Sequence, residues 1–188
     1  MKNTESIFGI IAASAISMAA TADVTLTLDQ FSATGSEFAQ YLPGETLTGM
    51  LNTAYGDFTL TQQGENSTYC DDLTILIADE SKTHLLMQIG GYSDYGAQRR
   101  YHWLDGANDN AGTHGGGTVH IGDIDVTGYY LFIGNGYGYG GIGVWTGTIE
   151  LMGSVMYDDG GEGGVVPGPA VAAAFVAIGL ARRRRRRD

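Results

Sequence analysis

Leu73-Thr74-Ile75-Leu76-Ile77-Ala78 is followed by the polar Asp79-Glu80-Ser81-Lys82 and then by His84-Leu85-Leu86-Met87-Gln88-Ile89. Leu73, Ile75 and Ile77 recur at every second position, which is the period of a strand, and Leu76 and Ala78 make the second face apolar as well. A strand with two apolar faces belongs inside a sheet. The polar residues between the two runs supply a turn, so His84 to Ile89 is expected as the hairpin partner. Working outward, Val24, Leu26 and Leu28 alternate with Thr25, Thr27 and Asp29, and Phe58 and Leu60 alternate with Thr59 and Thr61. Further runs cover 118–126, 129–133 and 142–151, the last with Trp145, Gly147, Ile149 and Leu151 opposite Val144, Thr146, Thr148 and Glu150. Thirty glycines and three prolines, two of them near the C-terminus, separate these runs, and no helical period of useful length lies between them. The expectation is an all-β body over 23–157, an antiparallel β-sandwich or jelly roll.

Charge narrows the partners. The chain carries 21 acidic and 10 basic residues, a net charge of −11, but six of the basic residues are Arg182 to Arg187 and another is Lys2. Between 23 and 166 only Lys82, Arg99 and Arg100 face nineteen acidic residues, a net of −16. Nucleic-acid binding by the body is thereby excluded, because phosphate recognition requires clustered Lys and Arg. About 140 residues also suit one domain.

The two ends read as addresses. Residues 1–22 have the parts of a secretory signal peptide: Lys2 in the n-region, an apolar segment from Ile7 to Met18, and an Ala20-Thr21-Ala22 cleavage site before Asp23. A core helix is the alternative, but the apolar segment has no amphipathic period. At the far end an acidic, glycine-rich linker (158–166) leads to Val166-Pro167-Gly168-Pro169, then twelve small or apolar residues, then Arg182, Arg183, Arg184, Arg185, Arg186 and Arg187. A twelve-residue helix spans roughly 18 Å, short of the ~30 Å hydrocarbon core, although snorkelling arginines lengthen its reach. The arginine block acts as a membrane stop that stays cytoplasmic. A nuclear-targeting reading of that block fits poorly behind an apolar helix and a signal peptide.

The order of proline box, apolar helix and arginine cluster over 167–188 resembles the PEP-CTERM sorting signal of bacterial exosortase substrates. Val166-Pro167-Gly168-Pro169 is a variant box, with glycine where that family usually has glutamate. The resemblance implies a precursor inserted in the inner membrane, cut near the box by an exosortase-like enzyme, and moved to the cell envelope or released, often among bacteria that build exopolysaccharide. A GPI signal follows a parallel logic. The body has a second resemblance. Asp71-Asp72-Leu73-Thr74-Ile75-Leu76-Ile77, a later Gly/Asp/Asn loop and a closing Gly143-Val144-Trp145-Thr146-Gly147-Thr148-Ile149-Glu150-Leu151 look like the jelly roll of proprotein-convertase P domains, which implies that fold alone.

Candidate chemistry is sparse. Cys70 is the single cysteine, so no intramolecular disulfide forms, and a buried, inert side chain is expected over a reactive thiol. His84, His102, His114 and His120 lack zinc-site spacing. The best metal candidate is calcium, on Asp105, Asn108 and Asp109 of the 105–110 loop, joined by Asp123 and Asp125, which sit two apart on a strand; solvated acidic loops are the plain alternative. No nucleophile has a base beside it, and no Gly-x-Ser-x-Gly elbow exists, so no catalytic residue is assigned. The Gly134–Gly141 segment has the glycines of a phosphate loop without a lysine or a following helix. Its Tyr137 and Tyr139, with Tyr92, Tyr95, Tyr101 and Trp103, are candidates for stacking on sugars; core or edge positions are the alternative. The reading is therefore a non-enzymatic exported protein of the envelope or extracellular matrix, structural or adhesive, with calcium-dependent or carbohydrate binding second and a small hydrolase third.

Overall fold

The computed structural model describes residues 24–63, 68–139 and 141–158. The signal segment with Ala20, Ala22 and Asp23, the Val166–Pro169 box and the Arg182–Arg187 block lie outside the described residues. Eleven strands form among those described: β1 (Val24–Thr34), β2 (Phe38–Gln40), β3 (Thr46–Thr48), β4 (Met50–Gln63), β5 (Leu73–Ala78), β6 (Leu85–Ile89), β7 (Arg99–Tyr101), β8 (Thr113–Asp125), β9 (Tyr130–Asn135), β10 (Ile142–Gly153) and β11 (Met156–Asp158). A single 3-10 turn, Cys70–Asp72, precedes β5. The body is all-β.

One sheet has the order β1-β10-β4-β8, a second has β2-β9-β5-β6-β7, and β11 pairs with β3 in a small ribbon. Every pairing is antiparallel except β6 with β7. The inward residues of the two larger sheets meet in one core: Leu26 and Leu28 of β1, Phe58 and Leu60 of β4 and Ile149 and Leu151 of β10 on one side, Ile75 and Ile77 of β5, Met87 and Ile89 of β6 and Leu131 and Ile133 of β9 on the other. Each such side chain contributes roughly 1.5–3 kcal/mol by leaving water. The expected alternation of β1 appears as buried Val24, Leu26 and Leu28 between exposed neighbours.

β5 is buried along its whole length, as its two apolar faces require. Leu73, Ile75 and Ile77 point into the main core, while Leu76 and Ala78 join Phe132 in a separate cluster on the outer face, covered by Phe38, Leu85 and Tyr130. Lys82 lies over Phe132, with its ammonium 5.0 Å from the ring centroid, so the β5–β6 turn closes that cluster. The same turn is organised by Asp79, whose carboxylate accepts from the backbone N–H of Thr83 and His84 and from the Thr83 and Ser81 hydroxyls.

Two strands run longer than the apolar pattern suggests. β4 starts at Met50 rather than near Phe58, and its inward positions include Ala54 and Gly56, which leave no hydrophobic signal. Gly56 is small because a Cβ there would press on the rings of Phe58 and Trp103. β8 likewise begins at Thr113 through buried Gly115 and Gly116.

Candidate functional site

The buried polar side chains of the described residues are Thr68, Asp72, Thr74, Gln88 and Asn135. All five gather at one end of the five-stranded sheet, where β5 begins and β6 and β9 finish. Burying a polar group is costly unless it is bonded, so their partners indicate what this end is built to hold.

For Asp72, Gln88 and Asn135 those partners include the backbones of two loops. Asp72 accepts from the N–H of Tyr69 at 2.8 Å with one oxygen and from that of Tyr92 at 3.1 Å with the other. Gln88 donates to Gly90 O and Ser93 O and accepts from Tyr95 N–H. Asn135 accepts from Tyr137 N–H at 2.9 Å and donates to Gly141 O and Thr68 Oγ1. The loops at 90–93 and 136–138 are also tied to each other and to the 3-10 turn, through Ser93 N–H to Gly136 O, Gly136 N–H to Asp72 O and Gly91 N–H to Asp71 O. The Ser93 hydroxyl accepts from Gly138 N–H. Arg100 reaches over the same segment, its guanidinium donating to Gly91 O and Tyr92 O and lying 3.8 Å from Asp94.

The loops can approach because of Gly91 and Gly136. Both pack on Thr74, and a Cβ on either would collide with Thr74 Oγ1 and crowd the Cα of the other glycine. Thr74 is itself anchored by donating to Asp72 O.

This frame presents three tyrosines. The ring centroids of Tyr92 and Tyr137 are 6.2 Å apart, those of Tyr137 and Tyr139 5.3 Å, and those of Tyr92 and Tyr139 6.5 Å. Tyr92 is 65% exposed and Tyr139 69%, whereas Tyr137 is half-buried between them. Their hydroxyls make no hydrogen bond among the described residues, in contrast to those of Tyr41, Tyr95 and Tyr101, which engage Thr27, Ser36 and Ile121. The arrangement offers a ligand aromatic faces and free hydroxyls on a fixed backbone.

Electrostatically this end is acidic. Burial pushes the Asp72 carboxyl up to about 6, with the neighbouring Asp71 charge adding to the rise and the Tyr69 and Tyr92 N–H groups opposing it. Burial raises Asp71 as well, partly offset by a backbone N–H and by His102. Cys70, beneath them, is fully buried and its thiol is pushed up to about 12, chiefly by burial. Such a thiol does not ionise at neutral pH, in keeping with an inert side chain.

Other sequence candidates fall elsewhere. Trp103 is not a surface platform. It is 5% exposed, stacks edge-on against Phe58 at 5.3 Å and donates its indole N–H to Leu73 O at 2.7 Å. The ring fills the space left by Gly56, a match of shapes that neither residue reveals alone. Tyr101 packs on the core with its hydroxyl on Ile121 O, and Tyr95 sits edge-on to Phe38 at 5.0 Å.

The calcium candidates are not brought together. Asp105 bridges to Gly116 in β8, whereas Asp123 lies seven residues further along that strand, roughly 20 Å away at ~3.3 Å per residue. Within the loop, Asn108 Oδ1 accepts from Asn110 N–H and the Asn108 carbonyl accepts from Cys70 N–H, so Asn108 pins the loop to the 3-10 turn. Asp125 accepts from Thr127 N–H in the β8–β9 turn. Among the described residues no group of three or more His, Cys, Asp or Glu side chains gathers as a metal site. A shallow cleft of ≈ 480 Å³ beside this loop is lined by Asp57, Asp105 and His114 over several glycines. Asp57 and His114 are 4.0 Å apart and both largely exposed.

The sequence makes the tyrosine cup only partly visible: Tyr92, Tyr137 and Tyr139 are stacking candidates by residue type, whereas Asp72, Gln88 and Asn135, which hold their loops, are not marked by type or spacing. Their signal is a polar residue at the end of an apolar run, recognisable only after the strand ends are known. No protein family, curated protein or solved structure matches the chain.

Proposed function

We propose that this chain is an exported, non-enzymatic module of the cell envelope or extracellular matrix, serving a structural and adhesive role by holding polysaccharide on the Tyr92–Tyr137–Tyr139 cup. The observation that carries the reading is that three buried polar side chains, Asp72, Gln88 and Asn135, hydrogen-bond the backbone of the two loops that present those rings, with buried Thr68 and Thr74 bonded to Asn135 and to the Asp72 carbonyl behind them. A fold that spends its buried hydrogen bonds on fixing three exposed aromatic rings has a surface preorganised for binding. The two sheets around one core are, in this reading, a sandwich of jelly-roll type.

Export rests on the sequence. The signal segment takes the body across the inner membrane, the apolar tail and Arg182–Arg187 hold the precursor there, and an exosortase-like enzyme cuts near Val166-Pro167-Gly168-Pro169. The acidic, disulfide-free body then stays in the envelope or matrix. Expression in an exosortase-bearing host that makes exopolysaccharide tests both parts. The mature protein should lack the arginine block by mass spectrometry, and it should fractionate with the matrix. Retention of Arg182–Arg187 in the envelope form contradicts the sorting step, and matrix association unchanged by Tyr92→Ala/Tyr139→Ala contradicts the binding role.

A further inference from the structure

Resting on the adhesive reading, we infer that the cup takes single, uncharged polysaccharide chains, and selects against flat crystalline sugar surfaces and against anionic chains. Two features of the cup carry this.

The first is shape. The ring planes are inclined to one another by 58° for Tyr92 and Tyr137, 57° for Tyr137 and Tyr139, and 48° for Tyr92 and Tyr139. Adjacent centroids are 5.3–6.5 Å apart, so the rings touch as a group, yet no two share a plane. A crystalline polysaccharide offers one flat face and can meet only one such ring squarely. A separate chain, free to turn about its glycosidic bonds, can lay successive apolar sugar faces on differently inclined rings and give its hydroxyls to the free tyrosine hydroxyls.

The second is charge. Asp72 lies under the cup, its carboxylate accepting from Tyr92 N–H, and Asp94 lies beside it, 3.8 Å from the Arg100 guanidinium that holds the Tyr92 carbonyl. The nearby cation, Arg100, is already committed to two backbone carbonyls and to Asp94. A uronate or sulfate would meet the Asp72 and Asp94 carboxylates against a single guanidinium that already pairs with Asp94 at 3.8 Å.

Area excludes the rival occupants. A tyrosine offers at most about 250 Å², so three partly exposed rings fall short of the ~800 Å² per partner of a stable protein interface. The surrounding carboxylates oppose approach to anionic lipid.

The test uses purified full-length protein in affinity electrophoresis and pull-down. The probes are neutral soluble chains (dextran, mixed-linkage β-glucan, galactomannan), anionic chains (alginate, polygalacturonate), and one polymer in two physical states, amorphous and microcrystalline cellulose. At least one neutral soluble or amorphous polymer should bind through the tyrosines, with little tyrosine-dependent retention by the anionic or crystalline ones, any retention of anionic chains by Arg182–Arg187 being indifferent to the tyrosine substitutions. Tyr92→Ala and Tyr139→Ala should each weaken binding roughly two- to tenfold, the factor that ~0.5–1.5 kcal/mol per aromatic contact represents. Unchanged melting temperatures would show that these exposed positions were altered without unfolding. Tyrosine-dependent binding to alginate or to crystalline cellulose at equal strength overturns the selectivity and leaves the adhesive reading standing. Neutral-chain binding that survives both substitutions overturns the site. Binding to no polymer, together with matrix association indifferent to the tyrosines, overturns the inference and the adhesive reading together.

Discussion

Asp72 is 1% exposed and nevertheless carries a carboxyl, one oxygen of which caps its own 3-10 turn at Tyr69 N–H while the other holds Tyr92 N–H in the loop after β6. Burial lifts its pKa from 3.8 to about 6, so the folded state holds the proton more tightly than the unfolded one. Its contribution to stability is then fully present below about 3.8 and is lost as pH rises through 6, a difference of roughly 3 kcal/mol. Asp71 is raised too and acts in the same direction. Asp79 and Asp125 are lowered by their turn hydrogen bonds, so their contributions are lost in the opposite sense, as pH falls below the ordinary carboxylate range. Urea midpoints should therefore decline between pH 4 and 6.5, and the decline should flatten in Asp72→Asn; a wild-type midpoint that climbs across this window contradicts the assignment. Trp103 belongs to this scale as well. Trp103→Ala removes a buried ring and a hydrogen bond to Leu73 O and should cost about 3–5 kcal/mol in denaturant titration, a loss of fold rather than of a ligand contact. Its aromatic character was plain in the sequence, but its burial was not, because the cavity it fills is made by Gly56 of a strand 47 positions earlier.

Among elements, the loop after β6 and the loop after β9 form one unit through Gly91, Gly136 and Thr74. Gly136→Ala should push them apart, costing about 1–3 kcal/mol by overpacking and reducing polysaccharide binding beyond what the lost stability explains. Gly112→Ala, at a positive φ but with open space around its Cβ position, makes a control whose cost is backbone strain of about 1–2 kcal/mol with binding unaffected. Equal loss of binding in both variants, measured well below their melting temperatures, would contradict a cup fixed by close loop contact. The strands that were legible are β1, β5, β6 and β10, with large apolar side chains at alternate positions, and β9, with a continuous apolar run. Those that were not are of two kinds. β2, β3, β7 and β11 are three residues each, too short to display a period. The early halves of β4 and β8 face the core with alanine and glycine, whose burial follows from large rings opposite and not from their own hydrophobicity.

Over the whole molecule, stability comes from the core between the sheets, since the ion pairs of the described residues are at exposed or partly exposed positions and the single cysteine is unpaired. Nineteen acidic residues against three basic ones between 23 and 166 repel one another at neutral pH. Raising NaCl from about 0.01 to 0.15 M shortens the Debye length from ~30 to ~8 Å and should increase the melting temperature, whereas a reductant should leave it unchanged. A salt-induced fall would mean that attractive pairs outweigh the repulsion. The β class and the inner position of Leu73–Ala78 followed from the sequence by itself, since strand period and turn chemistry are local properties of neighbouring residues. So did the acidity of the body, because charge is a sum over composition. Tertiary structure alone decided that Trp103 is core, that Asp105 and Asp123 stand far apart, and that Tyr92 joins Tyr137 and Tyr139, because each depends on which distant strand ends the sheet brings side by side.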